Sequence, residues 1–239
     1  MNKISSLATV FSIVLVVSFL GCDKDESGEP IVVNKNTSTI DTIPPVVWLN
    51  GGDTFHLVLN SILTDPGASA NDLEDGNLPT TVSGTFNKDL AGDYILTYTA
   101  TDSSGNSGSI TRVVHVYNVL NGFQGVYTNC SYTCQLGDSG TFTATVTLSD
   151  SINKEAYITN FGGFGNQVTI KANFSNLFIG SPINFDTPQS LGGTSVLEQT
   201  FNGESYVIMQ PGGPDQSFQV RYQWSDGIIT DTCTSVYHR

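Results

Sequence analysis

The sequence predicts an all-β protein that contains two antiparallel β units behind an export signal. Glycine, threonine and serine separate short apolar runs, and no stretch after residue 21 has the pattern of an amphipathic helix. Several runs alternate apolar and polar residues with a period of two, which is typical of strands that bury one face. The expected segments are a signal at 1–21, a tether at 22–43, a first β unit at 44–118 and a second at 119–239.

The chain begins with an apolar run that is too short to cross a bilayer. Leu7–Gly21 has 15 residues, whereas a transmembrane helix needs about 20. Lys3 precedes the run, and this order is typical of a secretory signal peptide. Gly21 before Cys22 resembles the lipobox of bacterial lipoproteins, which implies cleavage before Cys22 and acylation of that cysteine. We therefore expect Cys22 to be the lipid attachment site; the alternative is an ordinary secretory signal with an incidental cysteine.

Residues 22–43 are predicted to form a flexible tether, because they are polar, poor in aromatic residues and followed by two prolines. The acids and lysine in "DKDES" after Cys22 resemble the export signal of Bacteroidetes lipoproteins. That resemblance implies a lipid-anchored protein on the outer face of the outer membrane. "DTI", residues 41–43, also resembles the O-glycosylation pattern of exported Bacteroidetes proteins, with Thr42 as the acceptor.

Residues 44–118 contain short strand patterns between strong turn signals. The turns are "NGG" at 50–52, "DPG" at 65–67 and "SSGNSG" at 103–108. Period-two alternation predicts that one face of each strand points inward. The expected inward residues are Val46, Trp48, Phe55, Leu57, Leu59, Tyr94, Leu96, Tyr98, Ala100, Val114 and Val116.

Four ordered motifs of this unit, "PPVVWLNG", "DPGASANDLEDGNL", "AGDYILTYTATDSSGNSG" and "RVVHVYN", are shared with a known family. They resemble the bacterial Ig-like domain found in surface proteins and pesticidal crystal proteins. The resemblance covers Pro44–Asn118. It implies an Ig-like antiparallel β-sandwich that serves as a spacer or binding module and has no catalytic residues.

The acidic residues of this unit have two interpretations. The "NDLEDGN" loop contains Asp72 and Asp75, and Asp102 lies near the later turn. Carboxylates on neighbouring loops can contribute to the about six to eight oxygen ligands of Ca²⁺, so these three aspartates are the calcium candidates. Alternatively, they form turns, because Asp and Asn side chains hydrogen-bond the local backbone. No cofactor is predicted.

Residues 119–239 contain further strand patterns. Apolar residues alternate with polar ones in three runs: Phe142 to Leu148, Val168 to Phe174 and Phe218 to Trp224. Glycine-rich turns separate the runs, which predicts an antiparallel sandwich or small barrel. The order from "GVY" through "ITNFGGFGN" to "CTSVYHR" resembles C-terminal β domains of Bacteroidetes lipoproteins that lack an assigned activity.

Three cysteines remain besides Cys22, and an exported protein favours disulfides. Cys130 and Cys134 are four residues apart, about 13 Å on an extended strand, whereas bridged Cα atoms lie within about 7 Å. One of the two is therefore expected to pair with Cys233, and the sequence leaves open which one. A zinc site that uses His238 is the alternative, although the spacing matches no standard zinc pattern.

Composition and motifs restrict the function. The formal net charge is -13, from 9 basic and 22 acidic residues, which excludes a nucleic-acid-binding protein because binding needs basic side chains along the phosphates. No G-x-S-x-G, H-E-x-x-H or Walker motif occurs. A glycoside hydrolase needs two carboxylates beside the sugar, and no pair can be selected among Asp186, Glu198, Glu204, Asp215 and Asp226.

We therefore expect a non-catalytic binding module for a glycan or protein, with the first β unit as a spacer. Its contact residues are predicted on loops that contain Phe161, Phe164 or Tyr206, because aromatic rings offer rigid contact area. Trp224 is assigned to the core. The alternative is a structural or accessory envelope lipoprotein without a small ligand, and a glycoside hydrolase ranks third.

Overall fold

A computed structural model describes residues 40–200, 204–208 and 216–239. The predicted signal peptide, Cys22 and most of the predicted tether lie outside these ranges. The described residues contain no α-helix, only short 3-10 turns at Val119–Phe123 and Phe161–Gly163. The prediction of an all-β protein is confirmed. No helix in the described part is long and apolar enough to cross a membrane.

The first seven strands form two sheets. The strands are β1 (Val46–Leu49), β2 (Thr54–Val58), β3 (Ala68–Asp72), β4 (Gly76–Leu78), β5 (Thr81–Ser83), β6 (Gly92–Thr101) and β7 (Ser107–Tyr117). One sheet has the order β1-β3-β4 and the other β2-β7-β6-β5. Every pair is antiparallel except β2 with β7, which run parallel.

Residues from both sheets share one core, as the predicted sandwich requires. The buried members are Leu57, Leu59, Leu96, Tyr98, Val114 and Val116, all predicted to point inward. The prediction for β1 is wrong: Val46 and Trp48 are 67% and 44% exposed, whereas Val47 and Leu49 pack against the core. The "VVWL" run is apolar at every position and therefore contains no period-two signal.

The side chain of Arg112 on β7 is completely buried. Its guanidinium donates hydrogen bonds to the backbone oxygens of Gly52 (3.0 Å) and Asn50 (2.9 Å) and forms an ion pair with Asp65. The hydroxyl of Tyr98 also contacts both charged groups. Arg112 therefore joins the loops on either side of β2 to the long β6–β7 hairpin.

The remaining strands form one antiparallel sheet. They are β8 (Gly125–Cys134), β9 (Ser139–Leu148), β10 (Glu155–Thr159), β11 (Thr169–Phe174), β12 (Ile183–Phe185), β13 (Gln189–Gly192), β14 (Ser195–Thr200), β15 (Tyr206–Val207), β16 (Ser217–Ser225) and β17 (Thr230–His238). Their order is β12-β11-β10-β9-β8-β17-β16-β14-β13, and β15 pairs with β16 beside β14. The chain ends of this part, β8 and β17, are therefore neighbours in the middle of the sheet.

This sheet curls until its edges meet. The backbone N–H of Ile183 donates to the oxygen of Ser205 at 2.9 Å, and the N–H of Val207 donates to the oxygen of Ser181 at 3.1 Å. These bonds connect the β12 edge to β15, which in turn pairs with β16. The fold is therefore barrel-like, one of the two predicted alternatives. The predicted alternation is confirmed by the burial of Ala144, Val146, Ile170, Ala172, Phe174, Phe218, Val220 and Tyr222.

Cys134 and Cys233 form a disulfide in the structure, and their sequence separation is 99 residues. It connects β8 to β17, which are the first and last strands of the sheet in chain order and lie side by side within it. Cys130 is a free, buried thiol whose Sγ approaches the Tyr127 oxygen at 3.5 Å. Burial raises the pKa of the Cys130 thiol, which keeps it protonated and unreactive.

The β9–β10 loop binds the first sandwich through two asparagines. The buried Asn118 side chain donates to the backbone oxygens of Ser149 and Glu155, each at 3.1 Å. Asn60 donates from Nδ2 to the Ser151 oxygen at 3.0 Å, and its Oδ1 accepts from the N–H of Asn153 at 2.8 Å. These bonds fix the junction between the sandwich and the barrel-like sheet.

Candidate binding site

An aromatic cleft of about 160 Å³ opens where β8 ends and β9 begins. The β8–β9 turn, the loop between β10 and β11 and the end of β16 form its walls. Its aromatic lining residues are Tyr132, Phe164, Tyr222 and Trp224, and the Cys134–Cys233 disulfide also borders it. The disulfide therefore supports one wall of the cleft by joining β8 to β17.

The rings on one side of the cleft support each other. Phe164 packs edge to face against Trp224, with ring centroids 5.5 Å apart, and lies 6.4 Å from the Tyr222 ring. Trp224 is half-buried, whereas Tyr222 is completely buried. The Phe164 and Trp224 rings therefore have a fixed position and an accessible part, as rigid ligand contacts require.

The glycine-rich loop between β10 and β11 is held by backbone geometry. Asn160 (φ 58°) and Gly162 (φ 59°) have left-handed conformations. The N–H of Gly162 donates to the hydroxyl of the buried Tyr237 at 3.1 Å. A Cβ at position 162 would overlap with the Tyr222 hydroxyl. Glycine at this position therefore lets the loop lie directly on the core and present Phe164 to the cleft.

Asp138 is the one carboxylate among the described residues that line the cleft. It is exposed and accepts a hydrogen bond from the Tyr132 hydroxyl at 3.3 Å. Burial and the Asp138 carboxylate raise the pKa of Tyr132, so its phenol stays neutral and can donate. The cleft thus combines apolar ring surface with the Asp138 carboxylate and the Tyr132 hydroxyl.

This combination suits a small neutral ligand that has both an apolar face and hydroxyl groups. Pockets for drug-sized ligands have volumes of about 300–1,000 Å³, so the cleft of about 160 Å³ has room for a single ring-sized unit. A sugar ring can place its C–H face on an aromatic ring while a hydroxyl donates to the carboxylate. An anionic ligand would lie next to the Asp138 carboxylate, which would repel it.

The predicted aromatic contacts fall into three different environments. Phe164 lines the cleft, whereas the prediction for Phe161 is wrong, because it is completely buried in the core. Tyr206 is half-buried on β15, away from the cleft lining. Trp224 packs against the core, as predicted, and also borders the cleft. The sequence did not reveal Tyr132 and Asp138, although "YTCQLGD" places both beside Cys134.

The carboxylates considered for glycoside hydrolysis lie elsewhere. Asp186 pairs with Lys171 at 2.5 Å, and Glu204 pairs with Arg221. Asp226 accepts the backbone N–H groups of a turn, and the exposed Glu198 lies beside a separate surface depression. Asp215 lies outside the described residues. None of the four described carboxylates borders the aromatic cleft.

The remaining candidate residues are distributed over the molecule. Cys22 is outside the described ranges, and Thr42 is exposed. The zinc interpretation is wrong, because Cys134 and Cys233 are bonded to each other and His238 Nδ1 lies 2.6 Å from the Ser217 Oγ.

Among the calcium candidates, Asp72 and Asp102 approach each other and also Asp41. Asp75 instead accepts hydrogen bonds from Ser103, at 2.6 Å from its N–H and 3.0 Å from its hydroxyl.

The sheet arrangement of the first sandwich can be compared with known families. Residues 47–116 match the family described as "Bacterial surface protein, Ig-like domain". The first sandwich is a bacterial surface Ig-like domain. This match confirms the resemblance predicted for residues 44–118. No curated protein matches the chain.

Three solved structures match the chain at low similarity. A lipoprotein of Bacteroides thetaiotaomicron matches with 17% identity and a TM-score of 0.34, over 81% of this chain and 99% of that one. A Clostridium perfringens ZmpB structure, CBM51-2 in complex with GlcNAc and INT domains, matches with 13% identity and a TM-score of 0.26, over 81% of this chain and 43% of that one. A structure of the C. perfringens ZmpB M60 catalytic domain with CBM51-1 and CBM51-2 matches with 16% identity and a TM-score of 0.27, over 81% of this chain and 21% of that one. Scores of this size do not indicate what this chain binds.

Proposed function

We propose that this chain is a non-catalytic binding protein, anchored to the cell envelope by a lipid on Cys22 and exposed to the exterior. The barrel-like part binds one sugar unit of a glycan in the aromatic cleft. The Ig-like domain acts as a spacer between the anchor and the binding part.

The cleft carries the proposal for the ligand. Phe164 and Trp224 offer fixed aromatic surface, and Asp138 and Tyr132 offer polar groups within the same small volume. Aromatic side chains combined with a few placed polar groups are a feature of small-molecule sites. The single carboxylate of the lining supports binding rather than hydrolysis, because hydrolysis uses two.

The location is supported by the N-terminal sequence and by the Ig-like family. The apolar run that ends in Gly21-Cys22 resembles a lipoprotein signal, and the matched family is described as occurring in bacterial surface proteins. More than one acyl chain is needed for stable anchoring, and lipoprotein processing supplies them.

Labelling cells with an alkyne fatty acid tests the anchor. We expect the wild-type protein to become labelled and to remain with the membrane fraction, because the acyl chains on Cys22 hold it in the membrane after the signal peptide has been cleaved. Cys22→Ala should give no label, whereas Cys130→Ala should be labelled like the wild type. An unlabelled wild-type protein recovered from the medium would contradict the anchor.

A glycan array tests the ligand. We expect the wild-type protein to bind a defined set of glycans and Trp224→Ala to lose at least tenfold in affinity, because the cleft loses its largest ring. Trp48→Ala is the matched control, since Trp48 is the other tryptophan and is exposed on β1 of the Ig-like domain. Equal weakening by both substitutions would contradict the assignment of the cleft.

A structural role in the envelope is the second candidate. The turn after β16 exposes two adjacent apolar side chains, Ile228 at 92% and Ile229 at 47%. Such side chains can contact another protein. Uniform silence on the array, together with loss of a cross-linked envelope partner in Ile228→Asp, would favour this function over glycan binding.

A further inference from the structure

Three aspartates that are far apart in the sequence meet at one edge of the Ig-like domain. Asp41 precedes β1, Asp72 ends β3 and Asp102 follows β6. One carboxylate oxygen of each lies within 4.8 Å of one from both others. Asp72 and Asp102 are only 5% and 7% exposed. The cluster therefore brings three negative groups together in a largely buried position.

Asp72 presents a buried oxygen that has no partner. Its Oδ1 accepts the backbone N–H groups of Glu74 (2.8 Å) and Asp75 (3.1 Å). Its Oδ2 is buried and has no hydrogen-bond partner, the single such side-chain atom in the described part of the chain. Buried polar atoms are nearly always satisfied, so an unpaired carboxylate oxygen points to an ion or an ordered water as its partner.

No basic side chain in the described part of the chain forms an ion pair with the cluster. The ion pairs among the described residues involve none of Asp41, Asp72 and Asp102. The Asp102 carboxylate accepts hydrogen bonds from the side chain and the N–H of Asn106, neither of which carries a charge. Like charges so close together are unfavourable without a cation.

We propose that Asp41, Asp72 and Asp102 bind one Ca²⁺ ion. Oxygen ligands lie about 2.3–2.6 Å from Ca²⁺, so two on the same ion are at most about 5 Å apart, which the 4.8 Å limit satisfies. A set of three carboxylates, without nitrogen or sulfur, matches a hard cation. Waters complete the coordination. Asp75, a candidate from the sequence, is not part of this cluster; its carboxylate accepts hydrogen bonds from Ser103 instead.

The ion would attach the chain before β1 to the Ig-like domain. Asn106 already holds this segment, because its Nδ2 donates to the Asp41 backbone oxygen at 3.1 Å. A bound Ca²⁺ would add a bond between Asp41 and the ends of β3 and β6. Calcium would then shorten the free part of the predicted tether. Extracellular modules bind Ca²⁺ with dissociation constants of about 10⁻⁴–10⁻³ M, which is the range we expect.

Thermal unfolding and calorimetric titration of the purified protein with CaCl₂ test this site. We expect about 5 mM CaCl₂ to raise the melting temperature relative to EDTA, by mass action on the folded state. Asp72→Asn and Asp41→Asn should each weaken binding at least tenfold. Asp75→Asn is the matched control from the same loop and should retain the calcium-dependent shift. In EDTA, Asp72→Asn should melt at a higher temperature than the wild type, because it removes one of the repelling charges.

Asp41→Asn keeps the test valid if Asp72→Asn does not fold, because residue 41 lies outside the strands. The proposal is overturned if CaCl₂ produces neither heat nor a melting shift in the wild type. It is also overturned if Asp75→Asn abolishes the shift while Asp41→Asn retains it. Whether the protein binds glycans on the array does not affect either of these two tests of calcium binding.

Discussion

Replacing Arg112 by leucine is expected to lower the free energy of unfolding of the Ig-like domain by about 3 kcal/mol, the lower end of the range for removing one partner of a buried ion pair, because the Asp65 side chain left behind is 24% exposed. The substitution removes the charged partner of the Asp65 carboxylate and the donor to the backbone oxygens of Asn50 and Gly52. It also removes the guanidinium from the Phe55 ring, whose centroid lies 4.4 Å away. Chemical denaturation measures the change.

Two control substitutions separate this network from a general effect of charge. Arg112→Lys should restore little stability, because an ammonium group cannot make the several directed bonds of a guanidinium. Lys88→Leu removes a lysine whose pair with Asp89 is solvent-exposed, and exposed pairs contribute about 0–1 kcal/mol. If Arg112→Leu destabilised the protein no more than Lys88→Leu, the structural role assigned to Arg112 would be wrong.

The Arg112 effect should also depend on pH. Burial alone would raise the pKa of Asp65. The hydrogen bonds from Tyr98, Gly67 and Arg112 and the charge of Arg112 together outweigh burial, so the pKa lies below its usual value. A carboxyl whose pKa is lower in the folded state stabilises the protein above its unfolded pKa, about 3.9, and loses this contribution as the pH falls through the folded pKa. The stability difference between wild type and Arg112→Leu should therefore narrow in acid below about pH 4.

Loss of the Cys134–Cys233 disulfide should lower the free energy of unfolding by about 2–5 kcal/mol. The bridge joins residues separated by 99 positions, and a loop of about 100 residues gives about 4.7 kcal/mol in the chain-entropy model. Cys130→Ala is the suitable background, because it removes the free thiol, which is buried in the folded protein but could exchange with the bridge once unfolding exposes it. Denaturation midpoints are compared for the oxidised and reduced forms of this variant.

Mass spectrometry confirms reduction in the same samples. An unchanged midpoint after complete reduction would show that the bridge does not stabilise the sheet. Because Cys134 and Cys233 also border the aromatic cleft, the reduced form should bind the array glycans more weakly. This second effect distinguishes a support of the cleft from a bridge elsewhere.

The strand faces were predictable where polar and apolar residues alternate. β9, β11 and β16 follow this pattern, and their apolar residues face the core. β1 lacks the pattern, which explains why the wrong face was predicted. The parallel β2–β7 pair and the burial of Arg112 depend on contacts between distant strands, and a single arginine in a strand has no local signal that distinguishes it from a surface residue.

The sites were predictable only in part, for related reasons. The left-handed Asn160 and Gly162 decide that Phe161 enters the core whereas Phe164 reaches the cleft. The acidic cluster includes Asp41, which is 31 residues before Asp72 and lies in a segment expected to be free. Such meetings depend on tertiary structure, so the sequence indicated residue types and neighbourhoods but not the final sets.

The fluorescence of Trp224 tests the central claim, that the aromatic cleft binds a sugar, most directly. Trp48→Phe leaves Trp224 as the single tryptophan, because the chain has two. Titration of this variant with the glycan that binds best on the array should change the Trp224 emission saturably, with the affinity of the wild type. A glycan that binds with that affinity and leaves the Trp224 emission unchanged would contradict the assignment of the cleft.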